Sequence, residues 1–178
     1  NLQFHIQPIS TDKLGGANLH DFHAFTPTVA NIRPTSRGEI SITSSDTKVN
    51  PKIKMNYLST DEDRKVAADG IKLIRKIVME TNEFKKYEPE EFRPGSHLND
   101  KEEIVKACSH YAQTIFHPVG TCKMGNDDSA VVSDKLKVHG LNKLRVIDAS
   151  IMPNITSGNT NAPTIMIAEK GADMILNP

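Results

Sequence analysis

The sequence predicts an α+β protein in which an antiparallel sheet is flanked by helices, and two observations support this prediction. Before residue 59, apolar and polar residues alternate along several short stretches, which is typical of strands with one buried face. Over residues 60–83, apolar residues recur at every third or fourth position, which is typical of an amphipathic helix. The period therefore changes at Ser59, where a sheet-forming region gives way to a helical one.

The composition is that of a globular domain, and it excludes several function classes. The chain has 178 residues, of which 37% are hydrophobic, and this is enough for one domain with a core. Lys plus Arg and Asp plus Glu number 22 each, whereas nucleic-acid-binding proteins normally carry a basic excess. No apolar run approaches the length that spans a bilayer. The two cysteines, Cys108 and Cys122, allow one disulfide at most and no disulfide scaffold.

Four strands are predicted in the N-terminal region. They lie at residues 1–9, 29–32, 36–45 and 50–58. In the first of them Leu2, Phe4 and Ile6 alternate with polar residues and should share the buried face. The last two show the same alternation, so we expect them to pair as antiparallel neighbours.

Three histidines, His5, His20 and His23, lie in this region. Spaced histidines can bind a metal ion, but His20 and His23 lie among polar residues in a stretch without a sustained period. We therefore expect them to be exposed loop residues.

The first predicted helix covers residues 60–83. Its apolar stripe consists of Val66, Gly70, Ile74 and Val78. Ser59 and Glu62 can form a capping box at its start, and the acidic residues of the first turn suit the positive end of a helix.

A second helix is predicted over residues 99–115, with Asn99 or Asp100 as its cap. It should run directly into His117, where Pro118 disfavours helical geometry for the preceding residue. The histidine would then lie at a rigid corner.

The C-terminal region is predicted to contain one buried strand and one helix. The strand is LRVID at residues 144–148, and the helix covers residues 162–176. Pro163 fits the first turn of this helix, where a missing N–H costs little.

Two polar loops flank the 144–148 strand and predict a functional site. One is FHPVGTCKMG at residues 116–125, and the other is SGNTNAPT at residues 157–164. The second loop places asparagines at the start of the last helix, where the first N–H groups lack intrahelical partners and favour negative charge. The residues alone therefore indicate proton abstraction by His117 next to an anionic group.

Other chemistries are disfavoured by spacing or by missing motifs. Cys108 and His110 would point about 200° apart on a helix, so they cannot join His117 and Cys122 around one metal ion. The chain contains no G-x-S-x-G elbow, no G-x-G-x-x-G turn and no P-loop.

Three blocks, in this order, resemble the C-terminal region of the glucose–methanol–choline (GMC) family of FAD-dependent oxidoreductases. They are HPVGTCKMG, LRVIDASIMP and SGNTNAPTIMIAEKGADMI. The final helix is most similar to the insect glucose-dehydrogenase-like branch of the family. The resemblance implies a substrate-binding domain over residues 1–116. It also implies that residues 117–178 form the histidine loop and the C-terminal strand and helix of the FAD-binding domain.

The resemblance also implies a mechanism for the oxidation of a small-molecule alcohol or sugar. The histidine of the family's HPVGT motif takes the substrate's hydroxyl proton while a hydride passes to FAD, and this position is His117. Its partner would be Asn159, with Asn161 as the second choice. The residues implied to lie along the FAD are Phe116, Asp148, Ala149, Asn159, Thr160, Asn161 and Pro163. No metal and no nucleic acid is implied.

The family's glycine-rich turn for the FAD diphosphate does not occur in these 178 residues. Two hypotheses follow. The chain is either the C-terminal part of an enzyme whose N-terminal FAD-binding half is its partner, or a non-catalytic binding domain of the same fold. A glycine motif in the parent reading frame would favour the first hypothesis.

Overall fold

A computed structural model describes residues 1–12 and 18–177. The strands are β1 Leu2–Gln7, β2 Thr26–Asn31, β3 Glu39–Ser41 and β4 Lys52–Lys54. The helices are α1 Asp61–Glu80, α2 Asn82–Lys85, α3 Lys101–Tyr111 and α4 Asn161–Leu176, with a short 3₁₀ helix at Ala149–Ile151. Two small antiparallel sheets with separate helices confirm the predicted α+β class. In the described part of the chain, no helix is both long and apolar enough to cross a membrane.

The chain divides into two compact units. Unit 1 comprises residues 1–31 and 60–113, and unit 2 comprises residues 32–59 and 114–178. The predicted division at residue 116 assigns binding roles, to the substrate before it and to FAD after it, and it stays a prediction.

In unit 1, β1 and β2 pair antiparallel, and the second of these strands is longer than predicted. Phe4 lies opposite Val29, whose methyl groups come within 3.1 Å of where a Cβ at Gly70 of α1 would be. The apolar residues of β1 therefore share the face that α1 covers at β2. Coverage is incomplete, because Phe4 and Ile6 remain 37% and 58% exposed.

Helix α1 begins differently from the prediction, and the capping box of Ser59 and Glu62 is wrong. The N-cap is Thr60, whose extended backbone lets its hydroxyl accept a hydrogen bond from the N–H of Asp63 at 3.3 Å. The N–H of Ser59 instead donates to the hydroxyl of Ser36 at 3.0 Å. The predicted apolar stripe does lie on the packed side, with Gly70 buried.

Helix α3 confirms one of its two predicted caps. The carboxylate of Asp100 accepts hydrogen bonds from the N–H groups of Glu102 and Glu103, at 2.8 and 3.4 Å. The predicted end of this helix is wrong, because the backbone turns extended at Ala112 (φ −67°, ψ 144°). The helix thus ends well before His117 and does not run into it.

The hairpin of unit 2 confirms the predicted pairing of the third and fourth strands. Ile40 lies opposite Ile53, and both strands are shorter than predicted. A Cβ at Gly38 would collide with the carbonyl oxygen of Lys54, so only glycine allows this close approach.

The core of unit 2 is built mainly from irregular segments. Its buried residues are Val132, Leu136, Ile151, Met152 and Ile167. The predicted LRVID strand is wrong, because the only pairing of this segment among the described residues is an isolated bridge between Lys137 and Arg145. Leu136 and Lys143, which lie just before the two bridge residues, have positive φ angles of 60° and 61°. This left-handed backbone interrupts a regular ladder next to the bridge. The segment still supports α4, since Ile147 fills the space beside Gly171.

Candidate active site

The loop that carries His117 is fastened to the segment that follows the LRVID residues. The N–H of Cys122 donates to the carbonyl of Ser150 at 3.0 Å, and the N–H of Met124 donates to that of Ile151 at 2.8 Å. These backbone bonds hold the loop independently of its side chains.

Two residues of this loop have positive φ angles. Gly120 (φ +90°) adopts a conformation that favours glycine. Phe116 (φ +63°) adopts the left-handed region that an aromatic residue rarely occupies, and its N–H donates to the hydroxyl of Thr114 at 3.1 Å. Positive φ angles therefore occur on both sides of the histidine, and the predicted rigid corner stays a prediction.

Two predicted site residues, Asn159 and Thr160, contact the imidazole of His117, which is half-buried. Its Nε2 lies 2.9 Å from the side-chain amide nitrogen of Asn159. Its Nδ1 lies 2.9 Å from the hydroxyl oxygen of Thr160 and 3.4 Å from the backbone nitrogen of the same residue. Asn159 is exposed, whereas Thr160 is only 8% exposed.

The structure separates the two candidate asparagines. Asn159 contacts the histidine, whereas Asn161 is the exposed first residue of α4, and no hydrogen bond joins it to His117 within the described ranges. The first choice of partner for His117 is therefore the one that lies beside it.

The contact between Thr160 and His117 is one that sequence reasoning missed. Thr160 was expected to lie along the FAD, on the family resemblance. A threonine just before a helix is normally read as a helix cap. The contact joins residues far apart in sequence, so no local pattern could have indicated it.

Asp148 and Ala149 form the start of the 3₁₀ helix. The carboxylate of Asp148 accepts a hydrogen bond from the N–H of Ser150 at 2.8 Å and caps this short helix. The structure thus gives Asp148 a local role, and its predicted position beside the FAD stays a prediction.

The first turn of α4 has backbone donors without an intrahelical partner. No side chain caps the helix and no acidic residue lies in this turn. The N–H groups of Asn161 and Ala162 are therefore available to an acceptor atom, and both residues are exposed. Pro163 lies in the same turn, as predicted, and contributes no N–H. Acceptor atoms of an anionic or carbonyl-bearing ring fit this donor set.

The residues before and after His117 contribute to an open, apolar surface pocket of about 430 Å³. It is lined by Met55, Tyr57, Thr114, Phe116 and Pro118. Sequence reasoning missed Met55 and Tyr57, because their alternation was read only as the buried face of a strand. They lie beyond the end of β4 and are 40% and 58% exposed. The signal that could have identified these two residues is an alternating apolar pattern that continues past the end of a short strand.

A metal site is not among the features of the described residues, because no three His, Cys, Asp or Glu side chains converge there. Burial raises the pKa of the Cys108 thiol, so this group stays protonated and is a poor ligand.

A comparison with known families decides which family these residues belong to. A family model described as GMC oxidoreductase matches residues 34–168. The chain belongs to the GMC oxidoreductase family. The two loops that carry His117 and Asn159 thus lie in a GMC C-terminal region, as the resemblance implied.

Curated relatives of this GMC chain include two bacterial enzymes. It is 45% identical to oxygen-dependent choline dehydrogenase of Proteus mirabilis, over 98% of this chain and 31% of the relative. It is 43% identical to the protein of the same name from Paraburkholderia phytofirmans, with the same coverage. The chain therefore spans about a third of the length of these relatives. They do not support the predicted similarity to the insect glucose-dehydrogenase-like branch.

Solved structures with the same fold are also oxidoreductases by name. Pyridoxine 4-oxidase from Mesorbium loti has a TM-score of 0.83 at 30% identity, covering 96% of this chain and 32% of its own. A formate oxidase of Aspergillus oryzae, studied for modification of its FAD, has a TM-score of 0.80 at 32% identity, covering 88% of this chain and 28% of its own. These matches confirm the predicted GMC fold.

Proposed function

We propose that this chain is the C-terminal part of an FAD-dependent oxidoreductase that oxidises the hydroxyl group of a small alcohol, with His117 as the base. The observation that carries the proposal is the surroundings of the imidazole. Its Nε2 lies 2.9 Å from a neutral amide, and none of its hydrogen bonds within the described ranges is to a carboxylate. An imidazole with neutral partners can keep a lone pair at Nε2 and accept a proton there.

The residues of this chain handle the proton of the reaction. FAD, when bound, supplies the acceptor for the hydride that leaves the substrate carbon. The O–H bond of the substrate breaks, and a new N–H bond forms at Nε2 of His117. The amide of Asn159 can donate to or accept from the substrate oxygen, so it can hold that oxygen beside Nε2. Loss of one proton and one hydride converts the alcohol to a carbonyl compound.

The first turn of α4 would hold the flavin in this proposal. The N–H groups of Asn161 and Ala162, together with the positive end of the helix, favour the negative charge that a reduced flavin carries. The other proposed FAD contacts are Phe116, Asp148, Ala149, Asn159, Thr160 and Pro163. The diphosphate would be bound by the partner, the N-terminal FAD-binding half of the same protein.

The pocket lined by the residues on either side of His117 supports an alcohol with an apolar or quaternary-ammonium body over a sugar. Four of its five lining residues present apolar or aromatic surface. Of its two hydroxyls, that of Thr114 already accepts a hydrogen bond from Phe116. A sugar would leave most of its hydroxyls unpaired there, which is costly. The rings of Tyr57 and Phe116 can attract a cation, and two curated relatives are named for choline.

The experiment for the base uses the full-length flavoprotein. In His117→Ala, anaerobic stopped-flow reduction of the flavin should slow by about 10²- to 10⁴-fold while flavin absorbance shows that FAD stays bound. The matched control is His110→Ala, since His110 is exposed on α3. If His117→Ala reduced its flavin at the parental rate, the proposed base would be wrong, and a parent that holds no FAD would support the non-catalytic binding domain.

A second experiment tests the alcohol class with three substrates. Choline and its uncharged isostere 3,3-dimethylbutan-1-ol should both be oxidised with a higher kcat/KM than glucose. Tyr57→Ala should lower the value for choline more than that for the isostere, because only choline carries the charge that an aromatic ring attracts. Preference for glucose would contradict the assignment from the pocket and would favour the sugar hypothesis.

A further inference from the structure

Nδ1 of His117 has two partners, and both belong to Thr160. The hydroxyl oxygen lies at 2.9 Å and the backbone N–H at 3.4 Å. A backbone N–H can only donate, whereas a hydroxyl can donate or accept. The two groups therefore favour opposite tautomers of the ring when the hydroxyl acts as an acceptor.

The tautomer decides whether His117 can be a base at Nε2. A neutral imidazole carries one N–H and one lone pair. If Nδ1 accepts a hydrogen bond, the proton lies on Nε2, and that atom cannot take another. If Nδ1 carries the proton and donates it to the hydroxyl of Thr160, the lone pair lies on Nε2, the atom that contacts Asn159.

The hydroxyl of Thr160 does not cap the helix that begins at the next residue. Thr160 is the N-cap of α4, yet its side chain makes no capping hydrogen bond. A threonine at this position normally caps the helix through its hydroxyl. Here the hydroxyl is directed at the imidazole, and the residue is 8% exposed, so water offers it little compensation.

Helix α4 fixes the backbone of Thr160 in this position. Its carbonyl accepts hydrogen bonds from the N–H of Thr164 at 3.0 Å and from the hydroxyl of Thr164 at 2.6 Å. The hydroxyl of Thr160 is thus placed by a helix that begins beside the histidine.

We propose that Thr160 is the positioning residue of His117. Its hydroxyl accepts a hydrogen bond from Nδ1–H, which keeps the lone pair on Nε2, and it keeps this bond when Nε2 takes the hydroxyl proton of the substrate. The inference rests on the proposed function of His117 as the base. It gives the hydroxyl of Thr160 a role that acts through Nδ1 of His117 and sets the tautomer of the base.

The decisive measurement is the tautomer itself. Full-length flavoprotein is labelled with ¹⁵N-histidine, and its side-chain shifts are recorded at about pH 8.5, where an ordinary imidazole is neutral. His117→Gln identifies the His117 signals. The parent and Thr160→Ser should show a protonated Nδ1 and an unprotonated Nε2, whereas Thr160→Val, which lacks the hydroxyl, should shift the proton to Nε2. A proton on Nε2 in the parent would overturn the proposal.

The rate of flavin reduction supplies the second readout. Thr160→Val should slow it by about 10- to 100-fold, the range for a lost hydrogen bond to a charged group. Thr160→Ser should recover most of that rate. Thr81→Val removes a threonine hydroxyl that donates to the carbonyl of Ile77 in α1, and its rate should stay close to that of the parent. An equal loss in the valine and serine variants would contradict the role of the hydroxyl.

The two proposals can fail separately. If His117→Ala reduces flavin at the parental rate, the base is wrong whatever the tautomer is. If His117→Ala is slow and Thr160→Val is as fast as the parent, the base stands and the positioning role is overturned.

Discussion

His20 in unit 1 and His117 in unit 2 make the same contact at one ring nitrogen. In each, Nδ1 lies 2.9 Å from a hydroxyl oxygen, that of Ser10 in the first case and that of Thr160 in the second. Both rings are half-buried, so the expectation that His20 is an exposed loop residue is wrong. Nothing in this first contact distinguishes a structural histidine from a catalytic one.

The contact at the other nitrogen differs. Nε2 of His20 lies 3.2 Å from the carboxylate of Asp12, whereas Nε2 of His117 lies 2.9 Å from the amide of Asn159. A carboxylate only accepts hydrogen bonds, so Nε2 of His20 must carry a proton and cannot act as a base. An amide allows a lone pair. The partner's charge is therefore what separates the two sites.

Other polar groups of unit 1 also satisfy one another. The guanidinium of Arg75 makes two parallel hydrogen bonds to the carboxylate of Glu91, at 2.8 and 2.9 Å. It donates further to the carbonyls of Gly95 and Leu98, at 2.9 and 2.6 Å. This network holds the loop after α2 in place.

The largest expected effect is on the stability of unit 1. Glu91→Ala leaves the guanidinium of Arg75 without its carboxylate partner. The side chains of Glu91 and Arg75 are only 12% and 17% exposed, so water replaces the lost partner poorly. Loss of one partner from such a pair should reduce the free energy of unfolding by about 3–5 kcal/mol. Urea unfolding of the full-length protein measures this loss.

The matched control for Glu91→Ala is Asp69→Ala, whose ion pair with Lys65 on α1 is exposed. It should cost no more than about 1 kcal/mol. The rate of flavin reduction, measured on folded protein, should be unchanged in both variants. A slower rate in folded Glu91→Ala would show that the cluster of unit 1 also takes part in catalysis.

The second largest effect is expected on the rate of flavin reduction when His117 is given a carboxylate partner, as His20 has. Asn159→Asp places a carboxylate at Nε2, which should hold a proton there and slow flavin reduction by about 10²-fold, the lower range for loss of a general base. Asn159→Ala removes the partner without adding charge and should cost about 10-fold. Anaerobic stopped-flow compares the two variants. If the aspartate variant were the faster one, the charge of the partner would not be the deciding property.

The reverse change at His20 should have the smallest effect. The guanidinium of Arg93, and after it the imidazole of His20, lower the pKa of the Asp12 carboxyl below its ordinary value of 3.8. A lowered pKa contributes stability above that ordinary value, and the contribution is lost as the pH falls through the folded-state value. Asp12→Asn should therefore lose less stability than the parent between about pH 5 and pH 3.

The measurement for Asp12→Asn is the urea midpoint at these two pH values, together with the rate of flavin reduction. The rate should equal that of the parent, because Asp12 lies in a cluster that we assign no part in the reaction. The same acid dependence in both proteins would mean that Asp12 contributes nothing through its charge.

The sequence by itself determined the features that depend on neighbouring residues. The positions of α1, α3 and α4, the cap at Asp100 and the pairing of β3 with β4 follow from periodicity and from side chains that contact the backbone a few residues away. Together with the resemblance, the two polar loops also pointed to Asn159 as the partner of His117.

The tertiary structure alone decided the features that depend on distant segments. LRVID is not a strand because, within the described residues, its pairing is limited to one isolated bridge, and it packs under Gly171 of α4 instead. Thr160 does not cap α4 because folding brings the imidazole of His117 within 2.9 Å of its hydroxyl. A hydroxyl or a strand edge takes whichever partner packing brings within hydrogen-bond distance, and local sequence does not specify that partner.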